Sequence, residues 1–401
     1  MEKWLSIIGI NEDGIAGLSA VARYWLDQAE ILIGSDRHLN LIPLDGRQRL
    51  TWQSPLIDSI SEILKYQGSQ VCVLASGDPM WYGIGATLLQ YIPLNQVRVV
   101  PAVSTFSLIC ARLGWAFAQV ETLSLCGRPL ENLIAFLYPN AKILLLSADR
   151  YTPRLVAELL KAQGYGKSKI WVLEHLLGEK ERIIQVTAES WQTADLEIAN
   201  LNAIALECIA DDSQSTFSRL AGLPDSAYIH DGQLTKSEVR AITLAALSPK
   251  PGELLWDVGA GCGSIGIEWM RSNFRCKAVA IEKKRSAYIA QNAFALGTPN
   301  LEIISGTAPE VLQHLAKPDA IFIGGGITTA GMVESCWQSL KSGGRLVVNV
   351  VTIEGEQQVF AWHQQVGGSL KRIAIERMEA IGTFRGWKPM SAVTQWVAIK
   401  P

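Results

Sequence analysis

Short apolar runs alternate with amphipathic stretches along most of the chain. The first strand-like run covers residues 4–10, and others follow at 31–34, 70–75, 97–100, 142–147, 169–174, 182–186 and 203–209. Helical periodicity lies between them, for example at 17–29 and 153–163. Strands that alternate with helices favour α/β folds built on mainly parallel sheets.

The pattern changes between residues 210 and 225, where the sequence ADDSQSTFSRLAGLPD is small and polar. We therefore predict a first domain of residues 1–210, a linker of residues 211–226 and a second domain of residues 227–401. The second domain begins its own alternating series at Thr235. It ends in two long predicted strands, 370–380 and 392–400, joined as a hairpin by the tract 381–390.

Composition narrows the classes of function. The net charge of −2 argues against a large basic footprint for nucleic acid. No stretch reaches 18 uninterrupted apolar residues, and the N-terminus lacks the features of a secretory signal, so we expect a cytoplasmic protein without a membrane span. The seven cysteines and five histidines are scattered, which predicts no metal site.

The most informative motif is Asp257-Val258-Gly259-Ala260-Gly261-Cys262-Gly263-Ser264, which follows an apolar run and precedes a helical pattern. Three glycines in five residues let the backbone approach a ligand closely. Glu282 ends the next apolar run, where a carboxylate can accept hydrogen bonds from both hydroxyls of a ribose. The alternative, an ordinary glycine turn, explains neither the carboxylate nor its spacing, so we expect a nucleoside ligand.

The spacing D-x-G-x-G-x-G differs from the dinucleotide pattern G-x-G-x-x-G and resembles the S-adenosylmethionine loop of class I methyltransferases. Residues 318–326 read as a strand that ends in three glycines, including Gly324 and Gly325. Enzymes that methylate amino nitrogens resemble one another in an Asn/Asp-Pro-Pro-aromatic tetrapeptide at that point, which this chain lacks. We therefore favour a carbon nucleophile and a large flat substrate that approaches the bare backbone, against the simpler reading of a tight turn.

Residues 228–401 resemble the decarboxylating methyltransferase subunit of cobalamin biosynthesis. The resemblance rests on six ordered motifs: 234–240, 256–264, 280–282, 306–310, 321–325 and 343–349. It implies a class I, Rossmann-like fold. It also implies cofactor contacts at Thr235, Gly259, Ala260, Gly261, Cys262, Gly263, Glu282 and Ala308. Thr235 and Glu238 are equally explained as the ends of a capping box, with Thr235 as the N-cap.

Three strand-end loops of the first half, at 6–14, 75–79 and 100–105, are expected to converge at the carboxyl edge of one sheet. Together with the distal segment 174–179 they resemble the tetrapyrrole methylase family over roughly residues 4–209. The family's G-x-G-P-G loop is here Gly9-Ile10-Asn11-Glu12-Asp13-Gly14, and its usual Pro-Gly is Pro101-Ala102. The resemblance implies S-adenosylmethionine contacts at Gly9, Gly77, Asp78, Ser104 and Thr105.

Both halves thus resemble corrinoid-pathway methyltransferases. The resemblance implies methylation of ring carbons 5 and 15, with loss of carbon dioxide from the ring C acetate, and we expect a homo-oligomer. The substrate's peripheral carboxylates call for cationic partners, for which the candidates are Lys236, Arg240, Arg385 and Lys388, although such side chains are often solvated surface charges. Two alternatives are an RNA methyltransferase with an N-terminal binding module and a non-catalytic N-terminal half that delivers substrate.

Overall fold

The computed structural model describes residues 3–194, 196–211 and 217–401, which form two compact units. The first unit consists of residues 3–130 and 138–211, and the second of residues 131–137 and 217–401. Residues 212–216, in the middle of the predicted linker, lie outside the described residues. The linker bounds therefore stay a prediction.

A five-stranded parallel sheet opens the first unit. Its strands are β1 (Leu5–Ile10), β2 (Ile31–Gly34), β3 (Gln48–Thr51), β4 (Val71–Ser76) and β5 (Val97–Val100), in the order β3-β2-β4-β1-β5. Its helices are α1 (Ala20–Asp27), α2 (Asp36–Asn40), α3 (Leu56–Leu64) and α4 (Ile84–Leu88). All six residues of β1 are buried, as expected for a central strand with both faces covered.

A second five-stranded sheet completes this unit. Its strands are β6 (Glu121–Ser124), β7 (Lys142–Leu146), β8 (Lys169–Glu174), β9 (Arg182–Thr187) and β10 (Asn202–Glu207), in the order β6-β7-β10-β8-β9. Only the β6–β7 pair is parallel among these strands. Helices α5 (Thr105–Leu113) and α6 (Thr152–Ala162) accompany the sheet. Ser104 caps α5, and Gly114 ends it in the left-handed conformation.

The second unit contains a seven-stranded sheet in the order β13-β12-β11-β14-β15-β19-β16. The strands of the unit are β11 (Leu254–Val258), β12 (Lys277–Glu282), β13 (Glu302–Ser305), β14 (Ala320–Ile323), β15 (Arg345–Val350), β16 (Ser369–Ile373), β17 (Glu376–Ile381), β18 (Phe384–Pro389) and β19 (Val393–Ile399). Its helices are α7 (Ser237–Leu247), α8 (Ser264–Ser272), α9 (Ser286–Ala295), α10 (Met332–Ser339) and α11 (Ile353–Val366). Strand β19 runs antiparallel to its neighbours and is inserted between β15 and β16. The predicted class I, Rossmann-like fold is confirmed.

The strand predicted over residues 370–380 is wrong as a single element. It divides into β16, which pairs with β19, and β17, which pairs with β18 in a separate two-stranded hairpin. The turn of that hairpin contains Gly382, whose φ of 62° suits glycine. Apolar residues occur on both sides of the break, at Ile373, Ile375 and Met378, and no glycine or proline marks it in the sequence.

Short 3-10 segments connect several of these elements. They are Gly14–Gly17, Leu94–Gln96, Phe117–Gln119, Leu130–Phe136, Trp191–Thr193, Asp225–Ala227 and Glu310–His314. Most of the segment 130–136 belongs to the second unit, where Gly297 packs so closely on it that a Cβ would lie 2.7 Å from the Ala135 nitrogen. Arg219 also donates a hydrogen bond of 2.8 Å to the Ala135 carbonyl.

The core of the second unit is rich in tryptophan. Trp256, Trp269 and Trp396 are almost completely buried. The indole N–H of Trp269 donates to the Lys277 carbonyl at 3.0 Å, and that of Trp396 donates to the Gly367 carbonyl at 2.9 Å. These bonds satisfy the indole N–H of Trp269 and Trp396 and fix the orientation of both rings, whereas the buried Trp256 N–H has no partner among the described residues. No helix within the described residues is long and apolar enough to cross a membrane.

Candidate functional site

The loop between β11 and α8 is the glycine-rich turn predicted from the sequence. Gly259, Gly261 and Gly263 have φ values of 70°, 59° and 84°. Residue 259 must be glycine for two reasons: its φ is positive, and a Cβ there would lie 2.9 Å from the Gly325 nitrogen. The loops that follow β11 and β14 therefore meet through bare backbone.

Glu282 at the end of β12 holds this loop in shape. Its Oε2 accepts a hydrogen bond of 2.9 Å from the Gly261 N–H, and its Oε1 accepts one of 3.0 Å from the Lys284 N–H. A carboxylate has about four acceptor positions, so these two bonds leave capacity for a ribose diol. Contact with ribose stays a prediction for Glu282.

Asp257 lies beneath the same loop and is completely buried. One carboxylate oxygen accepts a hydrogen bond of 2.9 Å from the Gly266 N–H, and the other has no partner among the described residues. Burial raises the pKa of Asp257 to about 7, and the neighbouring Glu282 charge adds to the shift. The side chain therefore connects the loop to α8, and its burial disfavours the ionised carboxylate.

A cavity of about 670 Å³ lies beside the loop. Its wall includes the predicted residues Thr235, Lys236, Gly259, Ala260, Gly261, Cys262, Gly324 and Lys388. The wall does not include Gly263, Glu282, Ala308, Gly325, Arg240 or Arg385. The structure thus brings together the segment before α7, the glycine loop and the end of β14.

The geometry at Gly261 fits a flat, uncharged part of a ligand. A Cβ on Gly261 would point into the space between the loop and the Gln233 carbonyl, 3.5 Å from that oxygen. Both residues belong to the cavity wall. Burial raises the pKa of the Cys262 thiol to about 11, so the loop presents neither a cation nor a thiolate to a sulfonium donor. These residues fit S-adenosylmethionine.

Arg240 has a different task from the one predicted for it. Its side chain is completely buried, and its Nε donates to Glu268 at 2.5 Å. The same guanidinium donates to the backbone carbonyls of Thr235 and Leu223. Buried charges need such pairing. Arg240 therefore fixes the segment before α7, and its prediction as a substrate ligand is corrected.

The capping box predicted at Thr235 is also wrong. Helix α7 begins at Ser237, and its N-cap residue Lys236 makes no side-chain cap. The Ser237 N–H instead donates to Asp225 at 2.9 Å. Glu238 pairs with Arg377 of β17 at 2.5 Å, and that hydrogen bond lowers the pKa of Glu238 to about 2. Long-range partners replace the local cap.

The hairpin of β17 and β18 contributes charged side chains to the cavity wall. Arg377, Glu379 and Lys388 lie there, and Lys388 pairs with Glu379 at 2.8 Å. Lys388 can bind a substrate carboxylate only if that carboxylate displaces Glu379, so its role as a substrate ligand stays a prediction. Arg385 lies exposed on β18.

Asn349, at the end of β15, is a wall residue that the sequence reasoning did not single out as a ligand. Its Nδ2 donates to the Thr243 hydroxyl at 2.8 Å, and its Oδ1 accepts from Gln395 at 3.1 Å. The amide orientation is therefore fixed, and one Nδ2 hydrogen remains for a ligand. A polar residue at the carboxyl end of a parallel strand is the signal that would have identified it.

In the first unit, three strand ends converge as predicted. A Cβ on Gly9 would lie only 1.9 Å from the Gly77 carbonyl oxygen and 2.4 Å from the Ala102 nitrogen. The Ala102 N–H donates to the Gly77 carbonyl at 3.1 Å. The end of β1 is therefore packed backbone to backbone against the loops after β4 and β5, and Gly9 is a contact point.

A cavity of about 370 Å³ lies beside these loops. Asp78, Ser104 and Thr105 line it, whereas Gly9 and Gly77 do not. Two of the side chains have local roles as well. Asp78 accepts a hydrogen bond of 2.9 Å from the Met80 N–H, and Ser104 accepts one of 3.1 Å from the Ser107 N–H.

Aromatic side chains form part of the same wall. Trp81 and Tyr82 are each 42% exposed although both line the cavity. Phe106 supports them from below, with ring centroids 6.2 Å from Trp81 and 6.3 Å from Tyr82. Large aromatic faces left accessible in a cavity suit a flat ligand.

A group of polar side chains that sequence reasoning did not connect lies in this wall as well. Glu12 follows β1, Arg37 and His38 belong to α2, and His175 follows β8. Arg37 donates to Glu12 at 2.6 Å, and His175 Nδ1 lies 3.1 Å from the other oxygen of Glu12. The four residues come together only in the folded chain. Within the described residues, no group of three or more histidine, cysteine or acidic side chains is placed to hold a metal.

Two family profiles match separate parts of the chain. The profile described as tetrapyrrole (corrin/porphyrin) methylases matches residues 5–192, and the precorrin methyltransferase domain matches residues 226–400. Over 396 residues the chain is 45% identical to the precorrin-6Y C(5,15)-methyltransferase [decarboxylating] of Sinorhizobium sp. That alignment covers 98% of this chain and 95% of the relative.

Two shorter relatives carry single activities in their names. The cobalt-precorrin-7 C(5)-methyltransferase of Salmonella typhimurium is 32% identical over 45% of this chain and 88% of its own length. The probable cobalt-precorrin-6B C(15)-methyltransferase (decarboxylating) of Sulfurisphaera tokodaii is 31% identical over 43% of this chain and 93% of its own length.

Proposed function

We propose a division of labour for this chain, which belongs to the family of decarboxylating precorrin-6Y C(5,15)-methyltransferases. The first unit methylates carbon 5 of a precorrin. The second unit methylates carbon 15 and releases carbon dioxide from the ring C acetate. S-adenosylmethionine supplies the methyl group in both units.

The observation that carries this proposal is that each unit has a cavity of its own beside its own strand-end loops. The names of the two shorter relatives support the assignment, because each describes one of the two reactions. An N-terminal half that only delivers substrate would have to bind the macrocycle but not the donor, so donor binding by the first unit distinguishes the two functions.

In the second unit, the chain's own contribution is positioning. The backbone of residues 259–262 and the segment at Thr235 hold the donor, and Lys236 and Lys388 face the substrate's carboxylates from the cavity wall. The donor is already activated and the reduced macrocycle is electron-rich. Alignment in a water-poor cavity is therefore expected to supply most of the acceleration.

In the first unit, the exposed faces of Trp81 and Tyr82 are proposed to receive the macrocycle. Asp78, Ser104 and Thr105 lie on the same wall and are proposed to contact the donor. The arrangement places a flat aromatic surface and a polar edge in one cavity. Both features suit a conjugated ring with a charged periphery.

Two substitutions test the division. Gly261→Arg places a long cationic side chain in the second unit's cavity, where it repels a cationic donor. Asp78→Arg does the same in the first unit. We expect Gly261→Arg to abolish carbon dioxide release, and Asp78→Arg to release it but accumulate a product one methyl group short, as seen by mass spectrometry. Loss of carbon dioxide release in a folded Asp78→Arg protein contradicts two independent sites.

The assembly and surroundings of the protein are also proposals. The hairpin exposes Met378, Ile381, Phe384 and Trp387, of which Phe384 is 78% exposed. A second copy of the chain would cover such an apolar surface, which supports a homo-oligomer. Light scattering of Phe384→Ser and Trp387→Ser variants tests this.

A cytoplasmic location stays a proposal. The absence of a nucleic-acid partner, which the net charge of −2 favours, also stays a proposal.

A further inference from the structure

A histidine with a left-handed backbone lines the cavity of the first unit. His175 directly follows β8 and has a φ of 46°, which a residue with a Cβ rarely adopts. Non-glycine residues in this region are held there by their surroundings and cluster at functional sites. The side chain is 26% exposed, so it is neither a core residue nor a free surface group.

Glu12 determines which ring nitrogen of His175 carries the proton. The Nδ1 of His175 lies 3.1 Å from Glu12 Oε2. Burial raises the pKa of Glu12, but hydrogen bonds from His175 and Arg37 outweigh it, and the net pKa is lowered. An ionised carboxylate can only accept, so Nδ1 donates, and in the neutral imidazole Nε2 carries the lone pair. Among the described residues, no hydrogen-bond partner contacts Nε2.

The Glu12 carboxylate is itself held in place from two sides. Arg37 donates to its Oε1 at 2.6 Å. Gly178 packs against its side chain so closely that a Cβ would lie 2.9 Å from the Glu12 Cβ. Two other carboxylates of this segment are engaged elsewhere, because Glu174 pairs with Arg182 and Glu181 pairs with Arg112.

The second histidine of this cavity cannot play the same part. Both ring nitrogens of His38 are occupied, Nδ1 by the Ser35 hydroxyl at 3.1 Å and Nε2 by the Ser76 hydroxyl at 2.9 Å. Arg37 also lies 2.7 Å from its Nε2. Burial lowers the pKa of His38 to about 4, and it stays neutral. His175 is therefore the basic side chain with a lone pair to offer.

We propose that His175 is the general base of the methylation carried out in the first unit, with Glu12 as its positioning residue. This inference rests on the proposed assignment of carbon 5 to that unit. When the carbon–sulfur bond of the donor breaks and the carbon–carbon bond forms, the neutral ring gains one positive charge. His175 Nε2 removes the proton from the methylated carbon. The electron pair of that C–H bond returns to the conjugated ring, and the proton then passes to water.

The test uses the full chain and His175→Asn, because asparagine tolerates a left-handed backbone. We expect carbon 5 methylation in single turnovers to slow about 100-fold, the lower range for general base catalysis. Carbon dioxide release and the affinity for S-adenosylmethionine should be unchanged, which controls for folding. Glu12→Gln should slow the same step less than His175→Asn does.

Chemical rescue separates a base from an orienting group. His175→Gly tolerates the same φ and leaves space for imidazole, and added imidazole should restore at least a tenth of the lost rate. Carbon 5 methylation by His175→Asn within threefold of the parent overturns the proposal, as does a slow His175→Gly variant that imidazole does not accelerate.

The Asp78→Arg variant is measured in parallel. If it still adds both methyl groups, the assignment of carbon 5 to the first unit fails, which is a separate result.

Discussion

The two units place two different loops beside their cavities. The second unit uses three glycines with positive φ, at Gly259, Gly261 and Gly263, and its loop carries no charge. The first unit has a glycine at a point of close backbone contact, Gly9, and places Asn11, Glu12 and Asp13 where its family has a glycine-rich sequence.

The residues that replace the family's glycine-rich sequence have structural partners. Compared with the family's cofactor loop alone, the sequence after β1 lacks glycines. In the folded chain Glu12 has two partners, Arg37 and His175, and both line the cavity with it. The loop therefore has a glycine where backbone packing demands one, and at the position of the family's proline it carries Glu12, which contacts two neighbouring side chains.

The largest expected effect comes from the glycine contact of the first unit. Gly9→Ala would drive a Cβ into the Gly77 carbonyl, and because backbone cannot yield cheaply, we expect the first unit not to fold stably. Gly166→Ala is the matched control, since its nearest neighbours lie 3.8 Å away. Urea unfolding and amide exchange measure both. A Gly9→Ala protein as stable as the control would show that the three loops are not in contact.

A second prediction distinguishes the units by pH. The pKa of Asp257 is raised to about 7, above the ordinary 3.8, so the unfolded chain ionises first. The contribution of this group to stability is full below pH 3.8 and is lost as the pH rises to about 7, by roughly 1.4 kcal/mol per pH unit. Asp257→Asn should flatten the pH dependence of the second unit's unfolding between pH 5 and pH 7. An unchanged slope would remove Asp257 as its source.

The third prediction concerns donor binding in the second unit. Glu282→Ala, made in the Asp78→Arg background so that one site remains, should weaken S-adenosylmethionine binding by about 1.5–3 kcal/mol. Calorimetry measures the change. Glu282→Gln is the matched variant, because it keeps the shape and one acceptor oxygen. Equal affinity of Glu282→Ala and the parent would exclude a ribose contact.

The smallest change in donor binding is expected from Gly325→Val. Gly325 has open space where a Cβ would lie, so the fold tolerates the substitution. S-adenosylmethionine affinity should shift by less than about 0.5 kcal/mol, the usual range for a substitution that disturbs no packing. Carbon 15 methylation should fail if the macrocycle approaches this backbone. Normal turnover would show that the three glycines at residues 324–326 only form a turn and do not face the substrate.

The sequence was sufficient for features fixed by nearby residues. The loop at residues 257–264, most of the alternating strands and helices and the convergence of the strand ends of β1, β4 and β5 follow from local pattern. The short strands β3 and β6 were not predicted. It was insufficient where partners are distant. Glu12 meets His175 across 163 positions, and Glu238 meets Arg377 across 139.

The same limit explains the errors made from local pattern. Thr235 has the sequence signature of an N-cap, yet its carbonyl is taken by Arg240 and the helix starts later. Arg240 was predicted to bind substrate because the peripheral carboxylates of the substrate call for cationic partners. Its partner Glu268, 28 positions away, makes complete burial possible. Only packing in three dimensions reveals such a pair.

The hydrogen bond from Gly261 to Glu282 has an entropic consequence. Fixing the backbone of one residue costs about 1–2 kcal/mol at 25 °C, and glycine has the most freedom to lose. In the second unit this cost has been met during folding, because the carboxylate already holds the Gly261 amide at 2.9 Å. The donor therefore meets an ordered receptor, and its affinity need not offset the ordering of the loop.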